Sequence, residues 1–253
     1  MRLRLIALDM DGTLLNDEKE ISVRNRAALQ RAAAAGVTVA LSTARPSWSA
    51  RAYEADLGIK VAMVNSNGAE VWRPGGDRPV FRRTLESDLL AELLQVERPG
   101  STRLMRFYAT EESFGGEPRL INWTEGAWPE LPGPLTQVIY IADEDDITHF
   151  MDQLADRFGD RIALNRSDPI AVQVNAPGVS KGDGLARLAA AIGVAAEQVL
   201  AMGNGENDLP MLDWAGAGYV MANAPESVLR LARQVAPRHD EDGVAQIVEE
   251  LLG

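Results

Sequence analysis

The chain has 253 residues, enough for one large domain or two smaller ones, and its 46% hydrophobic and 25% charged residues are ordinary for a globular protein. It has no cysteine, which excludes disulfides, thiolate metal sites and a cysteine nucleophile, and its two histidines leave few candidates for a Ser/His/Asp triad. The formal net charge of −12 argues against nucleic acid or an anionic membrane as the main partner.

The first third of the sequence alternates between strand and helix patterns. Short apolar runs predict buried strands, and segments with helical spacing separate them. This alternation indicates βαβ units around a largely parallel sheet. Strands are predicted at 3–8, 37–41 and 61–64, and helices at 23–35 and after Pro46.

The middle of the chain, from about residue 82 to residue 177, has a different pattern. Its segments are strand-like or mixed, and the stretch 115–134 is rich in Gly and Pro. We interpret this region as an inserted α/β domain. Strands are predicted at 103–109, 137–142, 161–164 and 170–174, and helices at 87–96 and 147–158.

The alternating pattern resumes in the last third. The sequence therefore predicts an α/β core formed by about residues 1–82 and 179–253, with residues 83–178 as the inserted domain. The N-terminal residues reach Asp9 too soon for a secretory signal, and no apolar run approaches bilayer length, so we expect a cytoplasmic protein. Strands are predicted at 199–202 and 218–221, and helices at 181–192, 208–215, 225–232 and 243–252.

Four polar clusters fall at strand ends or helix starts of the predicted core. In open α/β sheets, ligands bind beyond the carboxyl ends of the strands. Taken singly, each cluster fits an ordinary helix cap or turn. Four together at one edge of a sheet indicate a functional site. The clusters are Asp9-Met-Asp11-Gly-Thr13, Ser42-Thr43-Ala-Arg45, Ser180-Lys181-Gly182 and residues 203–208.

The segment Asp-Met-Asp-Gly-Thr-Leu-Leu-Asn at 9–16 resembles the first motif of the haloacid dehalogenase (HAD) superfamily. Further motifs resemble its Cof-type, sugar-phosphatase-like branch (subfamily IIB), at 67–69, 178–182, 203–212, 221–226 and 240–244. The resemblance covers both ends of the chain and is weak across the middle. It implies a Rossmann-like core with a parallel sheet and an inserted α/β cap of type C2B, which covers the strand ends and selects the substrate. It also implies magnesium-dependent hydrolysis of a sugar phosphate or similar small phosphorylated metabolite.

The resemblance assigns roles to the polar clusters. It implies that Asp9 attacks phosphorus and forms an aspartyl-phosphate, and that Asp11 acts as general acid and then as base. Thr43, or its neighbour Ser42, would donate a hydrogen bond to the phosphate, and Lys181 would supply positive charge and restrain Asp9. Lysine is rare here, three residues among 25 basic ones, which makes Lys181 notable. Further candidates for substrate binding are Gly12, Arg45, Asn67, Gly68 and Asn207.

The same resemblance implies a magnesium ion. Its expected ligands are Asp9, the backbone carbonyl of Asp11, and Asn204 and Asp208 of the 204–208 loop. The chain departs from the family pattern at Asn204, where a carboxylate is usual, and at Ala44, where glycine is usual. An amide oxygen can bind Mg²⁺, but it carries no charge.

Two alternatives stay open. A phosphomutase would form the same aspartyl-phosphate and return the phosphoryl group to a sugar, so release of free phosphate separates the two enzymes. A catalytically weakened binding or regulatory protein is the second alternative, raised by Asn204, and turnover of an aryl phosphate with Mg²⁺ would exclude it. The motifs bind phosphate and metal, so they predict neither the individual substrate nor the oligomeric state.

Overall fold

A computed structural model of the chain describes residues 2–102, 104–110, 119–124 and 134–253. The chain divides into two compact units. The core unit contains the residues up to Phe81 together with Ser180–Gly253, and the inserted unit runs from Arg82 to Val179. None of the helices in these described residues is long and apolar enough to cross a membrane.

The described residues form thirteen strands and eight α-helices. The strands are β1 (Leu5–Leu8), β2 (Thr38–Ser42), β3 (Ala62–Asn65), β4 (Glu70–Trp72), β5 (Phe81–Arg82), β6 (Leu104–Ala109), β7 (Arg119–Trp123), β8 (Leu135–Ile141), β9 (Ala163–Asp168), β10 (Ala171–Asn175), β11 (Val199–Gly203), β12 (Ala217–Met221) and β13 (Val235–Ala236). The helices are α1 (Val23–Ala34), α2 (Ser47–Leu57), α3 (Ser87–Leu93), α4 (Glu144–Phe158), α5 (Lys181–Ile192), α6 (Leu209–Trp214), α7 (Glu226–Leu229) and α8 (Gly243–Leu252).

An eight-stranded sheet, in the order β13-β12-β11-β1-β2-β3-β4-β5, forms the centre of the core unit. β1 pairs in parallel with β11 on one side and with β2 on the other. The predicted parallel sheet is confirmed, with the addition that β4 runs antiparallel to β3. Because the connections diverge on the two sides of β1, its carboxyl end is the place where sheets of this kind usually bind ligands.

Helices cover both faces of this sheet, and the side chains of β1 alternate between them. Ile6 packs in one hydrophobic cluster with Leu29 of α1 and Val248 of α8. Leu5 packs in a second cluster, on the opposite face, with Leu185 of α5. β1 is therefore fully buried between two layers, which fixes the position of the residue that follows it.

The inserted unit contains a five-stranded antiparallel sheet in the order β7-β6-β8-β10-β9. Tyr140 of β8 packs edge-on against Phe150 of α4, with ring centroids 4.9 Å apart, and its hydroxyl donates to the backbone oxygen of Leu93 in α3. Both helices therefore lie on one face of the sheet. On the other face, buried amides bond to each other, as where Gln137 Nε2 donates to Asn175 Oδ1 at 3.3 Å.

The predicted elements differ from the observed ones mainly in short strands. α5 begins and ends where predicted, and so does α8. The sequence does not predict the strands β4, β5, β7 and β13. β5 and β13 have only two residues, too few to show a periodicity, and β7 overlaps the segment interpreted as Gly/Pro-rich. The first residue of the predicted strand 103–109, and most of 115–134, lie outside the described residues.

Candidate active site

Asp9 lies at the carboxyl end of β1, in the middle of the core sheet. Its backbone N–H donates to the carbonyl of Met202 in β11 at 2.9 Å, and the residue is only 6% exposed. The chain then turns sharply at Gly12, which has a φ of +78°. A Cβ atom at Gly12 would lie 2.5 Å from the side chain of Asn204, so both the backbone angle and the space require glycine.

Lys181, the first residue of α5, joins two carboxylates in the interior. Its Nζ donates to Asp9 Oδ1 at 2.7 Å and to Asp208 Oδ1 at 2.5 Å, and the side chain is 1% exposed. Burial, with the charge of Asp208, raises the pKa of Asp9 to about 7 against the opposing charge of Lys181. Burial lowers the pKa of Lys181, but the two carboxylates outweigh it and the net pKa is raised, so this lysine stays charged.

The loop after β11 is fixed by Asp208. Its Oδ2 accepts hydrogen bonds from the backbone N–H groups of Asn204 and Gly205, at 2.9 and 2.8 Å. A Cβ atom at Gly203 would lie 2.5 Å from the Asp208 side chain, so glycine is needed for this close approach. Because Oδ1 is bonded to Lys181, both oxygens of Asp208 have partners, and binding a metal directly would displace one of them.

A second group of predicted residues follows β2 and β3. Thr43 is buried, and its Oγ1 accepts from the backbone N–H of Arg45 at 3.1 Å. Its backbone oxygen accepts from the N–H of Asn67, whose Oδ1 accepts from Asn207 Nδ2 at 3.0 Å. A Cβ atom at Gly68 would lie 2.1 Å from the backbone oxygen of Ser180, so only glycine fits there. These contacts join the β2 and β3 ends to the start of α5 and to the 203–208 loop.

Ser42 is the alternative to Thr43 as a phosphate donor. It is fully buried within β2, and its hydroxyl has no hydrogen-bond partner among the described residues. Thr43 lies one residue beyond the strand, at its carboxyl end, where the ligand side of the sheet is expected. Its position therefore favours Thr43 over Ser42.

Asp11 is more exposed than Asp9 and is paired with two cations. Arg45 donates from Nε to Oδ2 at 2.8 Å and from Nη2 to Oδ1 at 2.7 Å, and Lys19 Nζ lies 3.0 Å from Oδ1. Burial raises the pKa of Asp11, but the hydrogen bonds from Arg45 and Lys19 outweigh it and the net pKa is lowered.

Lys19 is a site residue that the sequence does not predict. It lies in a tight turn that follows Leu15 and leads to Ile21, with a left-handed φ of +64°, and this conformation accompanies its contact with Asp11. Lysine is rare in this chain, and this is the only sequence signal that could have pointed to Lys19. Two further neighbours of the site lie in the predicted motifs but were assigned no role: Thr13, which hydrogen-bonds the Asn204 side chain, and Asn223, whose Nδ2 donates to the Gly12 carbonyl.

The Asn204 carboxamide lies close to an Asp9 oxygen and to the Asp11 carbonyl oxygen, at the spacing of ligands around a small cation. A terminal carboxamide atom of Asn204 lies 3.0 Å from the backbone oxygen of Asp11 and 3.1 Å from Asp9 Oδ2. Octahedral Mg²⁺ binds oxygens at about 2.0–2.1 Å, which places neighbouring ligands about 3 Å apart. Buried Asp9 and Asp208 face one buried cation, Lys181, so a negative charge is left over. The residues present therefore fit a divalent ion.

This donor set is unusual in its small share of charged side chains. Within the described ranges, no three His, Cys, Asp or Glu side chains form a cluster that could hold a metal. A divalent ion beside Asp9 would therefore have the Asp11 carbonyl oxygen and an amide oxygen of Asn204 as its other neighbours. Hard cations such as Mg²⁺ accept such neutral oxygens, and phosphate oxygens of a ligand would add charge.

The raised pKa of Asp9 predicts how the metal-free protein responds to pH. Because this pKa is about 7 in the folded chain, against an ordinary value of 3.8, the folded state binds more protons between these values. The contribution of Asp9 to the free energy of unfolding is therefore fully present below about pH 4 and is lost as the pH rises through about 7. We expect the Tm of Asp9→Asn, measured in metal-free buffer, to rise relative to that of the wild type as the pH increases across this range. A constant difference from about pH 4 to 8 would contradict the raised pKa.

Comparison with known proteins places these motifs in context. The family model of haloacid dehalogenase-like hydrolases matches residues 6–248. The 5-amino-6-(5-phospho-D-ribitylamino)uracil phosphatases YcsE and YitU of Bacillus subtilis (strain 168) are similar along their length. YcsE is 32% identical over 246 residues, covering 97% of this chain and 94% of that protein. YitU is 30% identical over 260 residues, covering 97% and 96%.

Solved structures show the same architecture. A haloacid dehalogenase-like hydrolase from Bacteroides thetaiotaomicron matches with a TM-score of 0.81 and 26% identity, covering 98% of this chain and 99% of that one. A second hydrolase of this kind, from B. subtilis, matches with a TM-score of 0.85 at 22% identity, covering 98% and 100%. The two-unit arrangement of a parallel-stranded core and a separate antiparallel sheet is therefore shared.

Proposed function

Because this chain belongs to the haloacid dehalogenase-like hydrolases and is a phosphoric monoester hydrolase, we propose that Asp9 is its nucleophile, that Mg²⁺ is its cofactor and that it acts on a small phosphorylated metabolite. One observation carries the proposal. The Asp9 carboxylate lies buried at the end of β1, one oxygen held by Lys181 and the other 3.1 Å from a terminal atom of the Asn204 carboxamide. A nucleophile held in this way needs little reorganisation before attack.

The chemistry runs in two steps. In the first, a carboxylate oxygen of Asp9 attacks phosphorus, the bond to the leaving oxygen breaks, and Asp11 donates a proton to that oxygen. In the second, Asp11 accepts a proton from water as the water attacks the phosphorus of the aspartyl-phosphate, which releases inorganic phosphate and restores Asp9. A bound Mg²⁺ would stabilise the negative charge on the phosphoryl oxygens.

Asp11 must carry a proton for the first step, although it is ionised in the resting protein. Arg45 and Lys19 favour its carboxylate form, and they lower its pKa. A bound phosphate group carries negative charge of its own and competes for both cations. We propose that this competition releases Asp11 and lets it be protonated when substrate is present.

The remaining polar residues place the phosphate group. Lys181 supplies a fixed positive charge next to Asp9, and the Thr43 hydroxyl lies at the neighbouring strand end, free to donate because its oxygen accepts from Arg45 N–H. The Asn67 side chain accepts from Asn207 Nδ2, and the Asn67 backbone N–H donates to the Thr43 carbonyl. We propose that these bonds hold the Thr43 segment in place, in addition to the substrate contacts predicted for Asn67 and Asn207.

Arg45→Lys is expected to lower kcat about tenfold, since a lysine ammonium cannot form the two parallel bonds that orient Asp11. The loss should fall on kcat more than on KM if Arg45 mainly positions Asp11. Steady-state kinetics on an aryl phosphate measures both constants. Arg51→Lys is the matched control, because Arg51 stacks on Trp72 and bonds to Gly76, away from Asp11. Equal kcat in Arg45→Lys and wild type would contradict this role.

The test of the proposed function is a phosphatase screen with Mg²⁺ and with a chelator. The panel should include sugar phosphates, an aryl phosphate and 5-amino-6-(5-phospho-D-ribitylamino)uracil, because two relatives carry the name of its phosphatase. Mg²⁺-dependent release of free phosphate supports the proposal. An isomerised sugar phosphate without free phosphate would indicate a mutase instead. No turnover of any compound, the aryl phosphate included, would indicate a binding protein.

A further inference from the structure

Hydrogen bonding and metal binding favour opposite orientations of the Asn204 carboxamide. Its inward atom, defined as the terminal atom 3.0 Å from Asp11 O, also lies 3.1 Å from Asp9 Oδ2 and 3.2 Å from Thr13 Oγ1. With nitrogen inward, its N–H groups donate to these acceptors. With oxygen inward, it faces the Asp11 carbonyl oxygen and the ionised Asp9 carboxylate with no hydrogen between them, and a cation between these oxygens would remove the repulsion.

The chain around Asn204 leaves room for both orientations. The torsion that turns a carboxamide is broad and roughly twofold, so both positions are accessible to the side chain. The outward atom lies beside Gly12, where a Cβ would approach to 2.5 Å. Glycine at position 12 therefore keeps the carboxamide free of a steric clash there. The backbone of Asn204 is meanwhile fixed by its N–H bond to Asp208 Oδ2.

We propose that Asn204 is a two-position residue: without metal its amide nitrogen holds the second oxygen of the nucleophile Asp9, and with Mg²⁺ its amide oxygen turns inward as a ligand. The proposal rests on the metal-dependent function proposed above. In the metal-free enzyme, Asp9 would be held at Oδ1 by Lys181 and at Oδ2 by Asn204. Metal binding must then break the amide hydrogen bonds, which lowers the apparent affinity for Mg²⁺.

Asn204→Asp removes the nitrogen and adds a third carboxylate to the group formed by Asp9 and Asp208. Without metal, an aspartate at this position has no N–H to donate to Asp9, and the like charges repel, so the Tm should fall by about 2–4 °C or more. With metal, the added charge attracts the cation, and the Mg²⁺ concentration at half-maximal stabilisation should fall about tenfold.

The experiment follows Tm during a Mg²⁺ titration of metal-free wild type, Asn204→Asp and a control, Gln234→Glu. Gln234 is exposed and precedes β13, the edge strand of the core sheet, so the control adds the same charge away from Asp9. The proposal expects a lower starting Tm and a larger Mg²⁺-dependent gain in Asn204→Asp only. A starting Tm and midpoint equal to those of the wild type would overturn it.

A measurement on the unmutated protein keeps the proposal testable if Asn204→Asp folds poorly. In nitrogen-15-labelled wild type, the Asn204 side-chain NH₂ signals should shift strongly on addition of Mg²⁺, since their partners change. Unmoved signals in a protein whose Tm responds to Mg²⁺ overturn the two-position inference and leave the proposed function standing. A wild type whose Tm and activity both ignore Mg²⁺ overturns the inference and the proposed cofactor together.

Discussion

Asp9→Asn is expected to lower kcat by about 10⁴-fold or more, because an amide cannot form the acyl-phosphate that the two-step reaction requires. The fold should survive, since asparagine has nearly the same shape and can still accept a hydrogen bond from Lys181. The measurement is kcat on the best substrate of the screen, with circular dichroism to verify folding.

Two controls make this result decisive. Asp213→Asn is the matched variant, because Asp213 is exposed and forms a salt bridge with the exposed Arg233. Mass spectrometry must show that the introduced asparagine has not deamidated back to aspartate. A kcat within about tenfold of the wild type in verified Asp9→Asn protein would exclude Asp9 as the nucleophile. In the wild type, acid quenching during turnover should trap a phosphoryl group on the peptide that contains Asp9.

The core could be predicted from the sequence because its elements carry local signals. β1 is an unbroken apolar run followed at once by Asp9, and a fully buried parallel strand has this pattern. α5 is bounded by Ser180, whose side chain accepts from Asp183 N–H, and by Gly193 in the left-handed conformation. Both are standard helix boundaries. Where such signals exist, the bounds of the element follow from them.

The short strands could not be predicted, because their pairing comes from distant parts of the chain. β13 has two residues and forms only by pairing beside β12, in the register Val220↔Val235 and Met221↔Ala236. β4 is three residues long and reverses the direction of the sheet beside β3. Tertiary pairing, not local propensity, forms such strands.

At the site, the residue types were accessible to sequence analysis but their pairings were not. The resemblance of their motifs to those of the haloacid dehalogenase superfamily identified Asp9, Asp11 and Lys181, yet nothing in the sequence indicated that Arg45 and Lys19 both pair with Asp11. That contact depends on a turn with a left-handed lysine, a conformation that local preferences disfavour. The two donors on Asp208 Oδ2 also arise only from the folded loop, and they change what this carboxylate is free to do.

Lys181→Met is expected to remove both stability and activity. The side chain is 1% exposed and is the charged partner of Asp9 and Asp208, so its loss leaves two buried carboxylates facing each other. Breaking a buried pair in this way costs about 3–5 kcal/mol in the free energy of unfolding. Activity should fall by about 10³-fold, because a fixed charge beside the phosphoryl group is lost. Lys60→Met is the matched control, since Lys60 is largely exposed.

A double variant separates the two effects. Asp208→Asn added to Lys181→Met removes one of the unpaired charges and keeps an oxygen that can accept from the loop N–H groups of Asn204 and Gly205. We expect it to recover much of the lost Tm in metal-free buffer and to stay inactive. Recovery of activity along with stability would mean that Lys181 serves only to neutralise its neighbours. A stable, inactive double variant, beside an Asp208→Asn single variant that retains turnover, would place the lysine charge in the reaction itself, since relief of the repulsion alone would then have failed to restore turnover.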